Sequence, residues 1–349
     1  MTVLWDTSAL KGQNEVVMPG HTIPEMFWNG VAARGDKLMM REKKFGIWQG
    51  WSWNQSGAAV REIAMGLSAL GFEPGQCASI LASTRLEWVL ADLAVLSAGG
   101  VSNGIYPTDS ASQVQYLCED SSTTILFVED EEQLDKALTA RAHLPLLQKI
   151  VVIDMDGLTR YSDPMVIGLD ALRELGRVHD LAKPGLFDLL RKNRRPEDLA
   201  ILIYTSGTTG KPKGAMHHQA GLVYAIRGHT QIIAQTPQDE RMCFLPLCHI
   251  AERVGGALVS MYTGTKINFV ENPETVPENI REISPTIILA VPRVWEKFQS
   301  GVHLSLKEST KFEQLMFHWA IGLGEKIADQ YLSGQPIALH QRLAYRVAQ

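Results

Sequence analysis

Eleven consecutive residues, Tyr204 to Gly214, read YTSGTTGKPKG. They follow an apolar run from Leu199 that reads as a buried strand, so the chain passes from strand directly into hydroxyls, glycines and lysines. A packed core has no use for such a string. An anion has several: glycines let backbone N–H groups approach it closely, hydroxyls add donors, and Lys211 and Lys213 bring positive charge. Pro212 between them limits how far the loop can relax. The chemistry that fits is the holding of a polyphosphate. A Walker A loop needs Gly-x-x-x-x-Gly-Lys-Ser/Thr, which no register of this segment supplies, so the common kinase and GTPase arrangement is excluded. A flexible surface loop would share the composition, yet composition alone gives no reason for fusion to a strand or for the two lysines.

The other side chains suited to chemistry are fewer. Cys243, Cys248, His249 and Glu252 lie close in sequence but lack the paired ligand spacing of a zinc site, and reduced core cysteines fit them better. His249 follows Pro246-Leu247-Cys248 at what reads as a helix start, where a histidine often does no more than hydrogen-bond to backbone. His217 and His218, just after the loop, read as strand-edge surface rather than metal ligands.

These residues must be positioned by elements that the rest of the chain supplies. From Ser52 the text reads SWNQ, a capping box, and Val60, Ile63, Ala64, Leu67 and Leu70 then recur at helical spacing until Gly71. An apolar run at Cys77 to Leu81, a helical pattern at Leu86 to Ala98 and a strand-like run to Ile105 and Tyr106 follow. Thr124 to Val128 and Ile150 to Ile153 are nearly continuous apolar runs separated by helix-length stretches, the mark of a parallel, doubly wound α/β sheet. The charged, Pro-bearing stretch Arg191 to Asp198 reads as a connection between subdomains rather than a basic patch. A second α/β sheet is expected from Leu199 onward, through Arg241 to Leu245, Lys266 to Val270 and Thr286 to Ala290. The predicted division is a first subdomain with its N-terminal extension over 1–195 and a second over 196–349. Phe312, Leu315, Met316, Trp319, Leu323 and Ile327 trace one face of a long helix, expected to pack as core.

Composition bounds what such a chain can be. Its 349 residues exceed what one hydrophobic core usually serves. The formal charge of −5 and pI near 6.1 argue against a nucleic-acid surface, so a phosphate ligand must be held locally. The four cysteines form no CxxC pair, and no secretory leader is visible, which favours reduced thiols in a cytoplasmic setting. Leu93 to Thr108, the longest uncharged stretch, is broken by glycines and Pro107 and does not read as a membrane span. Peripheral membrane contact and a homodimer stay open.

In this order of elements the loop resembles the signature of the adenylate-forming (AMP-binding) superfamily, which includes acyl-CoA synthetases, luciferases and peptide-synthetase adenylation domains. Further blocks stand in the order that family shows: IYPTDSASQVQYLCEDS at 105–121, FLPLCHIAERVGG at 244–256 and VPRVWEKF at 291–298. The spacing of His249, Glu252 and Arg253, with the later PRVWEK, is similar to the long-chain fatty acid CoA ligase branch.

The resemblance implies a reaction in two halves. A fatty acid carboxylate attacks the α-phosphate of ATP with loss of pyrophosphate, with Mg²⁺ assisting, and CoA then displaces AMP. It implies that Thr205, Ser206, Gly207, Thr208, Thr209, Gly210 and Lys211 line the terminal phosphates, that Lys213 supports the loop, and that Thr205 lies near the metal. His249 would sit beside the carboxylate and gate the thiol, making His249, Thr205 and Lys211 the catalytic candidates. The glycines of VGGALV, Val254 to Val259, could thin a helix wall for an acyl chain, each buried methylene being worth about 0.8 kcal/mol, or could serve ordinary close packing. The resemblance also calls for a Tyr-Gly-x-Thr-Glu-like segment, a ribose-gripping Asp, a hinge and a C-terminal lysine. None is found here, so the chain is expected to be an N-terminal piece, inactive alone. An adenylate former serving a carrier protein and a non-catalytic nucleotide- or acyl-binding module remain the alternatives.

Overall fold

The Ser52 capping box and the Thr310-Glu313 pair both close in the computed structural model, which describes residues 20–205 and 210–348. In chain order the helices are α1 (Ile23–Arg34), α2 (Trp53–Ala69), α3 (Leu86–Ser97), α4 (Ala111–Asp120), α5 (Glu131–Ala140), α6 (Leu169–Ala182), α7 (Leu186–Lys192), α8 (Gln219–Ile232), α9 (Ile250–Glu252), α10 (Val259–Thr263), α11 (Val276–Ile283), α12 (Pro292–Glu308), α13 (Lys311–Leu332) and α14 (Leu339–Ala348). The strands are β1 (Leu38–Lys44), β2 (Ile47–Ser52), β3 (Cys77–Leu81), β4 (Val101–Ile105), β5 (Thr123–Val128), β6 (Lys149–Val152), β7 (Val166–Gly168), β8 (Leu199–Thr205), β9 (Lys213–His218), β10 (Glu240–Cys243) and β11 (Lys266–Phe269).

Seven strands form a sheet in the order β7-β6-β5-β3-β4-β8-β9, parallel except for the last pair. The strand-like runs read from the sequence are its centre: β3, β4 and β5 are buried along their whole length, β4 with Ser102 and Asn103 buried at its middle. The remaining strands make a second sheet, β10-β11-β1-β2. Two expectations are corrected here. The strand at Leu199 does not open the second sheet but joins the first beside β4, and the second sheet recruits the early hairpin β1–β2. The stretch Arg191 to Asp198 therefore leads into a strand of the sheet the chain is already building, and Arg194 donates to the Gly99 carbonyl at 3.0 Å. Of Thr286 to Ala290, only Ile287 bridges β10.

Helix α3 is buried nearly all round, touching β1 as well as β3 and β4, which is the condition of a helix held inside the core. Asp92 in its middle is buried too. Helix α2, which packs on α3, also meets α6 so closely that a Cβ at Gly176 would stand 1.8 Å from the Glu62 carbonyl oxygen.

Contacts divide the chain into one unit ending at Leu289 and another beginning at Ala290. The second is three helices, α12 to α14. Its expected core face is corrected: Ile327 is buried, but Phe312 is 70% and Leu315 67% exposed, because three helices supply too few neighbours to cover every face. No helix among the described residues is long and apolar enough to cross a membrane.

Candidate active site

In a sheet wound both ways, ligands gather at the carboxyl ends of the strands where the winding reverses. Here the chain runs from β3 outward to β4 and returns to β5 on the other side, which puts the reversal at β3. The turn after β10 lies over this edge. Thr84, just past β3, donates to the Leu245 carbonyl at 2.6 Å and accepts from the Leu247 amide at 3.2 Å. Gly104 in β4 admits the next residues: a Cβ there would lie 2.7 Å from Cys248 Cα, a backbone clash that no rotamer relieves. A cleft of about 260 Å³ opens alongside, lined by Thr84, Pro107, Phe244 and Pro246 among others.

The hairpin of β8 and β9 rises from the same edge. β8 ends at Thr205, which pairs with Lys213 at the start of β9, and Tyr204 pairs with Gly214, so the ladder closes the loop at its base. Ser206, Gly207, Thr208 and Thr209 lie outside the described residues. Gly210 has φ +98, a left-handed conformation that favours glycine. Thr205, Gly210, Lys211 and Lys213 are all exposed. The Lys211 Nζ lies 4.6 Å from the centre of the Tyr116 ring.

His249 is exposed at the start of α9, where its Nδ1 accepts the Ala251 amide at 3.1 Å. The backbone-bonded arrangement considered from the sequence is thus present. It also has a chemical consequence: with Nδ1 accepting, the neutral ring carries its proton on Nε2, which is left as a donor.

The two residues that complete the His-x-x-Glu-Arg spacing are both buried. Glu252 pairs with Arg241 of β10 at 2.5 Å, while Arg253 pairs with Asp92 of α3, donates to the Ser102 carbonyl of β4 at 3.3 Å and stacks over Trp88. One charge ties the His249 turn to the smaller sheet and the other ties it to the larger. Burial pushes the Glu252 carboxyl up, against the Arg241 guanidinium. The following residues, Arg253–Leu258, form a π-helical turn, in which a Cβ at Gly256 would meet Glu252 Oε1 at 2.5 Å and Arg241 Nη2 at 2.9 Å. Close packing around this ion pair therefore accounts for Gly256.

All four cysteines are free and buried, and no group of three His, Cys, Asp or Glu among the described residues is placed to hold a metal. His217 and His218 lie on the edge strand β9, where His218 Nδ1 meets the Glu197 carbonyl at 2.8 Å. Sequence reasoning did not reach Thr84, Asp92, Arg241 or Tyr116. An acidic residue inside the otherwise apolar run of α3 was the one signal available for the buried pair.

A family model described as AMP-binding enzyme matches residues 27–333. The chain is 31% identical over 310 residues to the long-chain-fatty-acid–CoA ligase ACSBG1 of Bos taurus, a match covering 86% of this chain and 42% of that protein. It is 31% identical over 340 residues to ACSBG2 of Rattus norvegicus, another long-chain-fatty-acid–CoA ligase, covering 93% of this chain and 50% of that one. The chain thus spans about half the length, or less, of these curated relatives. Its fold is that of the anthranilate CoA ligase AuaEII, solved in complex with anthranoyl-AMP: the TM-score is 0.66 at 20% identity, over 76% of this chain and 49% of that one.

Proposed function

This chain belongs to the AMP-binding enzyme family, and from that premise we propose that it supplies the nucleotide-binding part of a ligase that activates a long-chain fatty acid with ATP and passes the acyl group to CoA. The relatives named as long-chain-fatty-acid–CoA ligases support the substrate class. The observation that carries the chemistry is the closed hairpin: the Thr205–Lys213 pairing sets a glycine- and lysine-bearing loop on the sheet edge over which the His249 turn is also fastened.

In the first half-reaction the carboxylate oxygen bonds to the α-phosphorus and the bond to the β-phosphate oxygen breaks, releasing pyrophosphate. Two anions must meet, so cationic and N–H donors are needed where charge accumulates, and one such donor is typically worth about 3–4 kcal/mol. Loop amides and hydroxyls with Lys211 hold the terminal phosphates, and Lys213 supports the loop from β9. The His249 Nε2–H donates toward the carboxylate or the carbonyl it becomes. In the second half-reaction the CoA sulfur bonds to the acyl carbon and AMP leaves. Magnesium is held largely by phosphate and water and needs only one or two protein oxygens, a demand the exposed Thr205 hydroxyl fits; bound there it would neutralise phosphate charge.

The test is acid-dependent ATP–pyrophosphate exchange in the complete protein, run with fatty acids of graded length and one aryl acid. Lys211→Ala and Thr205→Ala should slow exchange by about 100-fold or more, on the scale of a lost transition-state donor, with little change in melting temperature. An unchanged rate removes the assignment. Offering CoA beside a phosphopantetheinyl carrier protein then separates the two acceptors.

A further inference from the structure

Tyr116 has no role in the chemistry proposed so far, yet it touches both Lys211 and Pro212. It lies on α4, a helix fixed by a Ser110–Gln113 capping box and seated through buried Val114, Leu117 and Cys118. The Tyr116 hydroxyl donates to the Pro212 carbonyl at 2.8 Å, and its ring faces the Lys211 ammonium. One helical turn later Asp120 accepts the Tyr204 hydroxyl at 2.7 Å. Residues four apart share a helix face, so one face of α4 grips both stems of the hairpin, β8 through Tyr204 and the approach to β9 through Pro212. The Tyr204 ring in turn lies against Gly214, where a Cβ would come within 3.0 Å of it.

We propose that Tyr116 is a positioning residue of the phosphate loop: its ring holds the Lys211 ammonium and its hydroxyl fixes the Pro212 carbonyl, so that the lysine meets the anion already ordered. A lysine side chain is among the most costly to immobilise, and an aromatic face pays part of that cost before the ligand arrives. The ring engages one side of an ammonium that has three donors, leaving others for a phosphate. This inference rests on reading the loop as an ATP site.

The experiment uses the complete protein with lysine labelled at Cε and three variants, Tyr116→Phe, Tyr116→Leu and Lys211→Ala. A lysine over a ring face gives an upfield-shifted ε signal by NMR; it should be present in the wild type, kept in Tyr116→Phe and lost in both other variants. Titration of Mg·ATP should then show Tyr116→Phe within about threefold of wild type and Tyr116→Leu about tenfold weaker, a loss on the scale of a cation–π contact. The double variant Tyr116→Leu/Lys211→Ala should bind no more weakly than Lys211→Ala alone. Absence of a shifted signal that depends on Tyr116 overturns the proposal whether or not ATP binds. Unaltered ATP affinity in Tyr116→Leu also overturns it. A Tyr116-dependent signal in a complete protein that does not bind ATP supports the anchoring and overturns the nucleotide reading. Because Tyr116→Phe keeps the ring, an unfolded Tyr116→Leu still leaves a result: the shifted signal and the affinity must both survive in Phe.

Discussion

Replacing Asp92 by alanine should unfold the larger unit far more readily than the loss of one surface charge would. Arg253 is fully buried and the Asp92 side chain is 4% exposed. Two of the guanidinium nitrogens reach the carboxylate, one of them Nε at 3.1 Å, and without it the Ser102 carbonyl and the Trp88 face are the partners left among the described residues. Breaking a buried pair from one side leaves a buried uncompensated charge, at a cost of about 3–5 kcal/mol. In a unit of this size each kcal/mol lowers the melting temperature by about 2–4 °C, so a fall of roughly 6–20 °C is expected. Urea unfolding and thermal melts of Asp92→Ala measure it directly. The double variant Asp92→Leu/Arg253→Met removes both charges while keeping volume, and it should recover most of the loss, since well-packed apolar substitutes for a buried pair are often neutral or better. In the complete protein that double variant should not recover pyrophosphate exchange, because the tie that seats the His249 turn on the larger sheet is gone. A loss below about 1 kcal/mol in Asp92→Ala would mean that the pair behaves like an exposed bridge, and the account of how the turn is seated would be refuted.

Two further expectations concern titrating groups. Burial alone would raise the Glu87 carboxyl, but the Arg85 guanidinium, by hydrogen bond and charge, and the Lys44 ammonium outweigh it and hold the group down at about 2. Since the folded value lies below the unfolded one, the contribution is whole above about pH 4.5 and is lost as pH falls toward 2. Urea unfolding of wild type and Glu87→Gln between pH 3 and 7 should therefore converge on the acid side, and curves that stay parallel would contradict the ion-pair assignment. Burial raises the thiols of Cys77 to about 11 and of Cys118 and Cys248 to about 12, with Cys243 well above the ordinary range. The native chain at pH 8 should thus leave a disulfide reagent unreacted until denaturant exposes all four thiols, and prompt labelling of any one would show a breathing core.

The strands of the larger sheet were legible because a central parallel strand is apolar on both faces, and runs such as Thr124 to Val128 carry that mark without reference to anything distant. The helix at Ser52 was legible from its local period and local cap, and the one at Leu86 from its apolar pattern alone, since Arg85 before it makes no side-chain cap bond. What the sequence could not show was which sheet a strand joins. Leu199–Thr205 is as apolar as a strand opening a new sheet would be, and only its pairing with β4 puts it in the old one. The β1–β2 hairpin pairs with β11, more than two hundred residues away, and no local pattern records that partner. At the site, the loop proposed to hold phosphate announced itself through glycines and lysines. Tyr116 beside it, and the Asp92 that seats the His249 turn, did not, because each acts through neighbours that only the fold supplies.

That difference has a physical basis. Groups that touch a ligand must be of particular chemical types, so they leave a dense signature in a short stretch. Groups that hold them need only be complementary to whatever the fold sets opposite, and complementarity is a property of pairs. The adjacent Glu252 and Arg253 show the link between the two: they sit three and four residues after His249, face partners in different layers, and carry opposite charges because one partner is the cation Arg241 and the other the anion Asp92. A His-x-x-Glu-Arg spacing is then the trace left in sequence by a turn that must be tied to two sheets at once. Reversing the two charges, as Glu252→Arg/Arg253→Glu, would keep composition and net charge but set like charges together in the interior, so the order within the motif, and not its content, is what the fold requires.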